Sequence, residues 1–521
     1  VYDAQGRVQS VTEQGADVEA RIAFRYTPEG NLAEVTAADG STTRFEYDPI
    51  GRAASMDDSN LGFRAYAHNA LGELIFERDG DGIFTRYSYD ALGRLERRVD
   101  NWDFLSSGDP RQQITDFAYD DAAGFGLGRL AVATGPYPAG GQVPVSAPRI
   151  TYHYDDRGRL ARRLQRLQIG GQNRHFWTSQ SYDDLGRLSE LAYPATADDA
   201  SESEPGTQRL RIAYRHNARG YLAAVEQVDT SAVLWQSLAI DASGRFTRTQ
   251  QNDGALTTTR SFRRASGLMT GTQSWRAGEI VQHLLYDWTA GGLLRGREDR
   301  VLGQREEFDH DALGRLVAAR AFVDGDPAGE RVLGFDAGGN PRAGALLDDG
   351  RPQRVLRYGQ GADQFDYEYD ASGRVVRRDG HVLTRDPSGL LGSIATDSGS
   401  IEFAYGPHRQ RIRRVDDSGV NRTEAAYIGQ TSARIDGQPA TYRQRVMIGR
   451  EAVALVEQTP DRAERISFLH HDHAGSTTAI SNDGGTHRLA YDHAGRVRDP
   501  AITSPLAASS ESPDLVSMPG G

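Results

Sequence analysis

The densest cluster of side chains able to do chemistry is His470-His471-Asp472-His473. Imidazole and carboxylate both bind zinc, but a metal site needs its ligands on one face, with more supplied from elsewhere. On a strand, His471 and His473 share one face and His470 and Asp472 the other, so this string alone does not assemble a site. Asp79-Gly80-Asp81-Gly82 shares part of a calcium-loop pattern but lacks the later acidic ligands, and a hairpin turn is its expected role. No G-x-S-x-G nucleophile elbow and no H-E-x-x-H motif occurs. There is no cysteine, hence no thiolate ligand, disulfide or cysteine nucleophile. All 60 basic residues are arginine, and a P-loop phosphate site requires a lysine. The sequence therefore predicts no catalytic residue, no metal site and no cofactor.

Composition narrows the class. The 521 residues carry 60 cations and 72 anions, a net charge of −12. Domains that track nucleic acid normally show a basic face and a pI above about 9, so nucleic acid is not an expected partner. No apolar run reaches the roughly 18 residues of a membrane-spanning helix. There are 58 glycines, and 22 tyrosines outnumber 17 phenylalanines. Many short strands joined by many tight turns account for both excesses, and a helical bundle does not.

What positions these residues is a repeat. Tyr-Asp-x-x-Gly-Arg occurs seven times, starting at Tyr2, Tyr47, Tyr89, Tyr154, Tyr182, Tyr369 and Tyr491. Copies from Ile240 and His310 change only the first residue, and degenerate copies start at Tyr26, His68, Phe335, Arg385 and His471. The starts at Tyr26, Tyr47, His68 and Tyr89 lie 21 residues apart. Upstream of the turn, Phe45 and Tyr47, Tyr87 and Tyr89, Tyr152 and Tyr154, and Tyr367 and Tyr369 alternate with polar residues. Period two with aromatic enrichment marks a strand with one packed face.

In the turn itself, aspartate can accept hydrogen bonds from the backbone ahead of it, and glycine tolerates positive φ. Arg94-Leu95, Arg159-Leu160 and Arg374-Val375 then open a second strand, making each unit a β-hairpin. The residues expected to build these turns are Tyr47, Asp48, Gly51 and Arg52; Tyr89, Asp90, Gly93 and Arg94; Tyr154, Asp155, Gly158 and Arg159; Tyr182, Asp183, Gly186 and Arg187; Tyr369, Asp370, Gly373 and Arg374; and Tyr491, Asp492, Gly495 and Arg496.

A lone hairpin is marginal in water, so units must pair side by side. Tyrosines would then form a ladder, with the arginine after each turn across a neighbouring ring. About 20 units of two strands, at about 4.8 Å per strand, make roughly 190 Å of sheet. That is wider than open twisted sheets sustain without coiling or closing. The expected fold is all-β: tandem hairpins in one continuous coiled sheet, a hollow β-shell or part of one. Gly135 to Pro148, and Pro194 to Gln208 with its Asp198, Asp199, Glu202 and Glu204, are expected as surface loops. The chain opens inside a repeat at Val1-Tyr2-Asp3, so a window on a longer array is expected.

Repeats of this form and spacing resemble the RHS/YD-repeat proteins: bacterial Rhs polymorphic toxins, wall-associated repeat proteins, the cocoon-forming component of Tc toxin complexes and the shell of animal teneurins. The resemblance covers roughly residues 1–498. Phe468-Leu469-His470-His471-Asp472-His473-Ala474-Gly475-Ser476-Thr477-Thr478, followed by Tyr491-Asp492-His493-Ala494-Gly495-Arg496-Val497, is similar to the start of the RHS-associated core. The resemblance implies a repeat array over 1–465 and the start of the core over 466–498. A Ser/Pro/Ala-rich tail over 499–521 is expected to be disordered.

The resemblance further implies a secreted or cell-surface bacterial shell that encloses and helps deliver its own or an associated C-terminal toxin or effector, without catalysis of its own. A second expectation is an extracellular module that binds glycan or a cell surface through exposed tyrosine and arginine. Family cores run on to a DPxGL cleavage motif. The string Asp386-Pro387-Ser388-Gly389-Leu390 falls at a repeat turn ahead of the core signature. It is expected to be an ordinary turn, with self-cleavage as the alternative.

Overall fold

The computed structural model describes residues 1–14, 19–102, 111–196, 199–342, 344–359, 364–435, 440–458, 464–491, 495 and 497–498. Asp198, Asp492, His493, Ala494, Arg496 and the tail from 499 to 521 lie outside the described residues. The described residues form 43 strands and no helix. A first sheet of 26 strands runs from Ser10–Gln14 to Asp326–Val332, and a second of 15 from Ala345–Asp348 to Gly485–Arg488. Ala490–Tyr491 and Val497–Arg498 make a small third sheet.

The antiparallel hairpin array expected from the repeats is what the chain adopts, as two long ladders where one was expected. Between Val332 and Ala345 stand Gly334, Gly338, Gly339, Pro341 and Gly344. Proline has no N–H for a ladder and glycine weakens a strand. The strand pairing left there among the described residues is a single bridge, Phe335 to Pro341.

Alternation shapes each strand. Along Leu130–Pro138, Ala131, Ala133, Gly135 and Tyr137 are buried and their neighbours are not; Thr441–Ile448 and Arg422–Ile428 follow the same rule. The first of these overturns an expectation, because Gly135, Pro136 and Tyr137 continue a strand and do not form a loop. A Cβ on Gly135 would stand 2.4 Å from the Ile114 carbonyl oxygen, so glycine permits the close approach, and the register shifts between Ile114 and Asp116. Tyr137 is buried there and its hydroxyl donates to Asp116. Pro194 and Ala195 likewise end a strand, Leu188–Ala195.

The chain forms two compact units: residues 1–179, 194–209 and 334–440, and residues 180–193, 210–333 and 441–521. In the first, Leu164, Leu167 and Ile169 are buried, as are Ile412, Val415, Ala426 and Ile428. The Gln165 amide donates to the Tyr427 carbonyl at 3.2 Å, and the Gly170 N–H to Glu424 at 3.0 Å. In the second, Leu210, Ile212, Leu234, Trp235 and Leu256 share a core with Val446, Val453, Ala454, Val456 and Phe468. Burying each such aliphatic side chain is worth about 1.5–3 kcal/mol. Two of the buried polar side chains here bond to backbone carbonyls, as most buried polar groups do. The Tyr193 hydroxyl donates to the Arg445 carbonyl at 2.6 Å and the Gln251 amide to that of Val453 at 2.8 Å.

Candidate functional site

The recurrent site is the turn, and its sequence explains its geometry residue by residue. At Asp48, the backbone N–H donates to the Arg52 carbonyl at 2.8 Å, and the Gly51 N–H donates to the Asp48 carbonyl at 2.9 Å. Gly51 has φ of 85°, which a side chain would disfavour. One carboxylate oxygen of Asp48 accepts the N–H groups of Ile50 at 3.1 Å and Arg52 at 2.9 Å. The other accepts Arg52 Nε at 2.6 Å. The register slips by one residue just before Tyr47, which lies opposite Ala53. This is a type I turn followed by a glycine bulge, a common hairpin closure.

Asp90 with Arg94, Asp155 with Arg159, Asp183 with Arg187 and Asp370 with Arg374 repeat it, their Nε or terminal nitrogen lying 2.6–2.8 Å from the carboxylate. Asp3, Asp48 and Asp90 are held below the ordinary carboxylate value, chiefly by the backbone N–H of the turn arginine. In Asp183 and Asp241 the hydrogen bond from the arginine side chain leads. Tyr491 and Gly495 are described, whereas their partners Asp492 and Arg496 are not.

Tyrosine does more than pack. Its hydroxyl donates to a backbone carbonyl of the preceding hairpin: Tyr47 to Leu32 at 2.8 Å, Tyr89 to Leu74 at 2.9 Å, Tyr154 to Leu130 at 2.8 Å, Tyr369 to Val355 at 2.9 Å and Tyr491 to Thr477 at 2.6 Å. Phenylalanine cannot make this tie, which the excess of tyrosine in the composition hints at. Turn arginines also lie across rings of the next hairpin, Arg7 over Tyr26 at 4.5 Å and Arg94 over Tyr119 at 4.4 Å. Arg94 is bidentate to Asp120 at 3.0 and 2.7 Å, and that hydrogen bonding lowers the Asp120 carboxyl to about 2.

The candidate ligand groups are occupied by protein. Asp81 accepts Arg374 at 2.5 Å and the Ala371 N–H at 2.9 Å, and Asp79 accepts Arg374 at 3.1 Å. The string that looked like part of a calcium loop is thus a turn that seats another turn of the same unit. A Cβ on Gly62 would lie 2.5 Å from the Ala371 oxygen, so the seat needs glycine.

The strand Glu464–His471 ends before Asp472, which starts a turn of the repeat type: its N–H donates to the Ser476 carbonyl at 3.0 Å and its carboxylate accepts the Ser476 N–H at 2.8 Å. His473 therefore leaves the strand and packs against Tyr286 and Trp288, with ring centroids 4.4 and 5.3 Å away. His470 faces Ser481 Oγ at 3.0 Å and His471 the Ala452 carbonyl at 2.7 Å. Burial pushes His470 down to about 3. Among the described residues no three His, Asp or Glu side chains gather as a metal site.

At Asp386, the N–H donates to the Leu390 carbonyl at 2.8 Å, and the carboxylate accepts the Ser388 and Leu390 N–H groups at 3.0 and 2.9 Å. This is the ordinary repeat turn.

A family model for the RHS repeat matches residues 26–60. Among curated proteins none matches the chain. Solved structures do. The crystal structure of TcdB2-TccC3-TEV aligns over 95% of this chain and 28% of its own length, with a TM-score of 0.76 at 13% identity. That of TcdB2-TccC3 covers the same shares at 0.75 and 13%. The Tc holotoxin pore of Photorhabdus luminescens aligns over 95% of this chain and 27% of its own, at 0.75 and 13%. The chain thus spans little more than a quarter of each relative, and at this identity the likeness is one of fold. Residues 26–60 thus match the RHS repeat, and the chain as a whole shares the fold of TcdB2-TccC3.

Proposed function

We propose that the chain is wall material of a β-shell that encloses a C-terminal toxin or effector polypeptide and helps deliver it, acting outside the cell that makes it. The observation that carries this reading is the alignment with TcdB2-TccC3-TEV over 95% of the chain at a TM-score of 0.76. In this reading residues 1–465 are repeat wall, 466–498 the start of the core and 499–521 a tail. The aspartate, glycine and arginine of each turn close a hairpin, and the tyrosine ties it to the hairpin before. The role is structural.

The test is to purify the protein from its native host with whatever polypeptide accompanies it, then digest with proteinase K before and after unfolding the wall in detergent. A polypeptide that survives digestion until the wall unfolds supports the reading. One digested equally fast in both samples, or no accompanying polypeptide at all, contradicts it.

A further inference from the structure

Within the first unit, the strands from Arg64 to Gln113 and those from Arg374 to Arg409 enclose a cavity of about 680 Å³, inside the range of small-molecule sites. Five arginines line it, Arg64, Arg111, Arg374, Arg385 and Arg409, against three carboxylates, Glu77, Asp79 and Asp386. Arg374 is neutralised by Asp79, Asp81 and Asp370, which leaves the other four arginines to set the character of the space.

The carboxylates are already committed. Asp79 holds Arg374 at 3.1 Å, Glu77 accepts the Tyr87 hydroxyl at 3.2 Å, and Asp386 is taken up by the N–H groups of its own turn. Arg385 and Arg409 instead donate to backbone carbonyls, those of Val375 at 2.8 Å and Ser388 at 2.9 Å. Arg64 comes no nearer to Glu77 than 3.9 Å. The Nε–H groups of Arg64 and Arg385 are buried without an acceptor.

Buried donors without partners are costly, and arginines with no close carboxylate direct their field into the space they face. Guanidinium matches a tetrahedral or planar oxyanion with two parallel N–H bonds. Thr85, Asn101 and Gln113, also in the lining, supply the neutral polar groups that a sugar-like body would meet.

We propose that this cavity is a binding site for a small anionic ligand bearing phosphoryl or sulfate groups, held by Arg64, Arg385 and Arg409. The proposal does not depend on what the wall encloses.

Isothermal titration of the full chain with inorganic pyrophosphate and with a disulfated heparin disaccharide tests it, with sucrose as the neutral control. One equivalent of either anion is expected to bind, about tenfold or more weakly in Arg385→Gln and in Arg409→Gln, and unchanged in Arg219→Gln, an exposed site in the other unit. Stronger binding of pyrophosphate identifies a phosphoryl ligand, and of the disaccharide a sulfated glycan. Thr85→Glu, which adds an anion to the lining and removes no arginine, abolishes binding even if an arginine variant fails to fold. Absence of binding by both anions overturns the proposal. So does binding that these substitutions leave unchanged, and so does capture of an Asp-Glu-Asp peptide but neither anion.

Discussion

Replacing Gly62 by alanine probes the seating of one turn on another. Gly62 has φ of 77° and its missing Cβ would stand 2.5 Å from the Ala371 oxygen. Gly72 is the matched control: φ is 90° and nothing lies within 4 Å of its missing Cβ. A left-handed backbone costs a side chain about 1–2 kcal/mol, and both variants bear that. Overpacking against a fixed backbone atom adds about 1–3 kcal/mol, and Gly62→Ala alone bears it.

Hydrogen exchange read by mass spectrometry reports such local openings. Gly72→Ala should speed exchange about 5–30-fold, confined to its own turn. Gly62→Ala should exceed it by a further 5–150-fold, roughly, and the acceleration should appear in residues 370–374 as well as 58–62. Equal effects in the two variants, or protection unchanged in 370–374, would refute the stacking of these turns.

Other outcomes follow from the same geometry. Tyr89→Phe removes the tie to Leu74 and should cost about 0.5–1.5 kcal/mol, seen as faster exchange along Leu74–Arg78 with Phe84–Tyr89 itself less affected. The depressed turn aspartates hold stability that is present above the ordinary aspartate value and is lost as pH falls through each folded value. Asp120, at about 2 when folded, should lose its share between pH 3.8 and about 2, so Asp120→Asn flattens thermal melting across that window. His470 is depressed in the opposite chemical sense: the unfolded chain takes up its proton near 6.5, whereas the folded one does so near 3. Stability should fall by up to about 1.4 kcal/mol per pH unit below 6.5, and His470→Asn should remove that slope. Mass spectrometry of the purified chain should show an intact 57.0 kDa species; a cut between Asp386 and Pro387 would show that the turn is more than structural.

The turn was legible because everything it needs lies within five residues. Asp48, Gly51 and Arg52 are chosen by local backbone geometry, and local geometry is what a sequence writes plainly. The turn of Gly406-Pro407-His408-Arg409-Gln410 was not legible. It keeps the two closing bonds, Gly406 N–H to the Gln410 carbonyl at 2.8 Å and Arg409 N–H to the Gly406 carbonyl at 2.9 Å, with Arg409 at φ of 61°. Yet it carries neither the aspartate nor the glycine. Its neighbours in the ladder hold the shape that its own residues do not specify. Asn69 with Glu73 is an intermediate case: the amide accepts the two N–H groups, and the carboxylate takes the arginine's place opposite it.

Longer connections were invisible for a different reason. The meeting of Asp79 and Asp81 with Arg374 links residues almost 300 positions apart, and no local pattern encodes which turn seats on which. The same distance hid the cavity, whose arginines come from both ladders. Strand alternation misplaces His473 because the strand ends two residues earlier, at His471, and Asp472 opens the turn.

In the proposed function, hairpins of this kind enclose a polypeptide. Electron cryo-microscopy of the native, cargo-bearing protein tests it most directly. Unfolded polypeptide density is expected, bounded on its outside by the Tyr-Asp-x-x-Gly-Arg hairpins. A folded effector tethered in solvent, with no polypeptide density behind the hairpin wall, would contradict it.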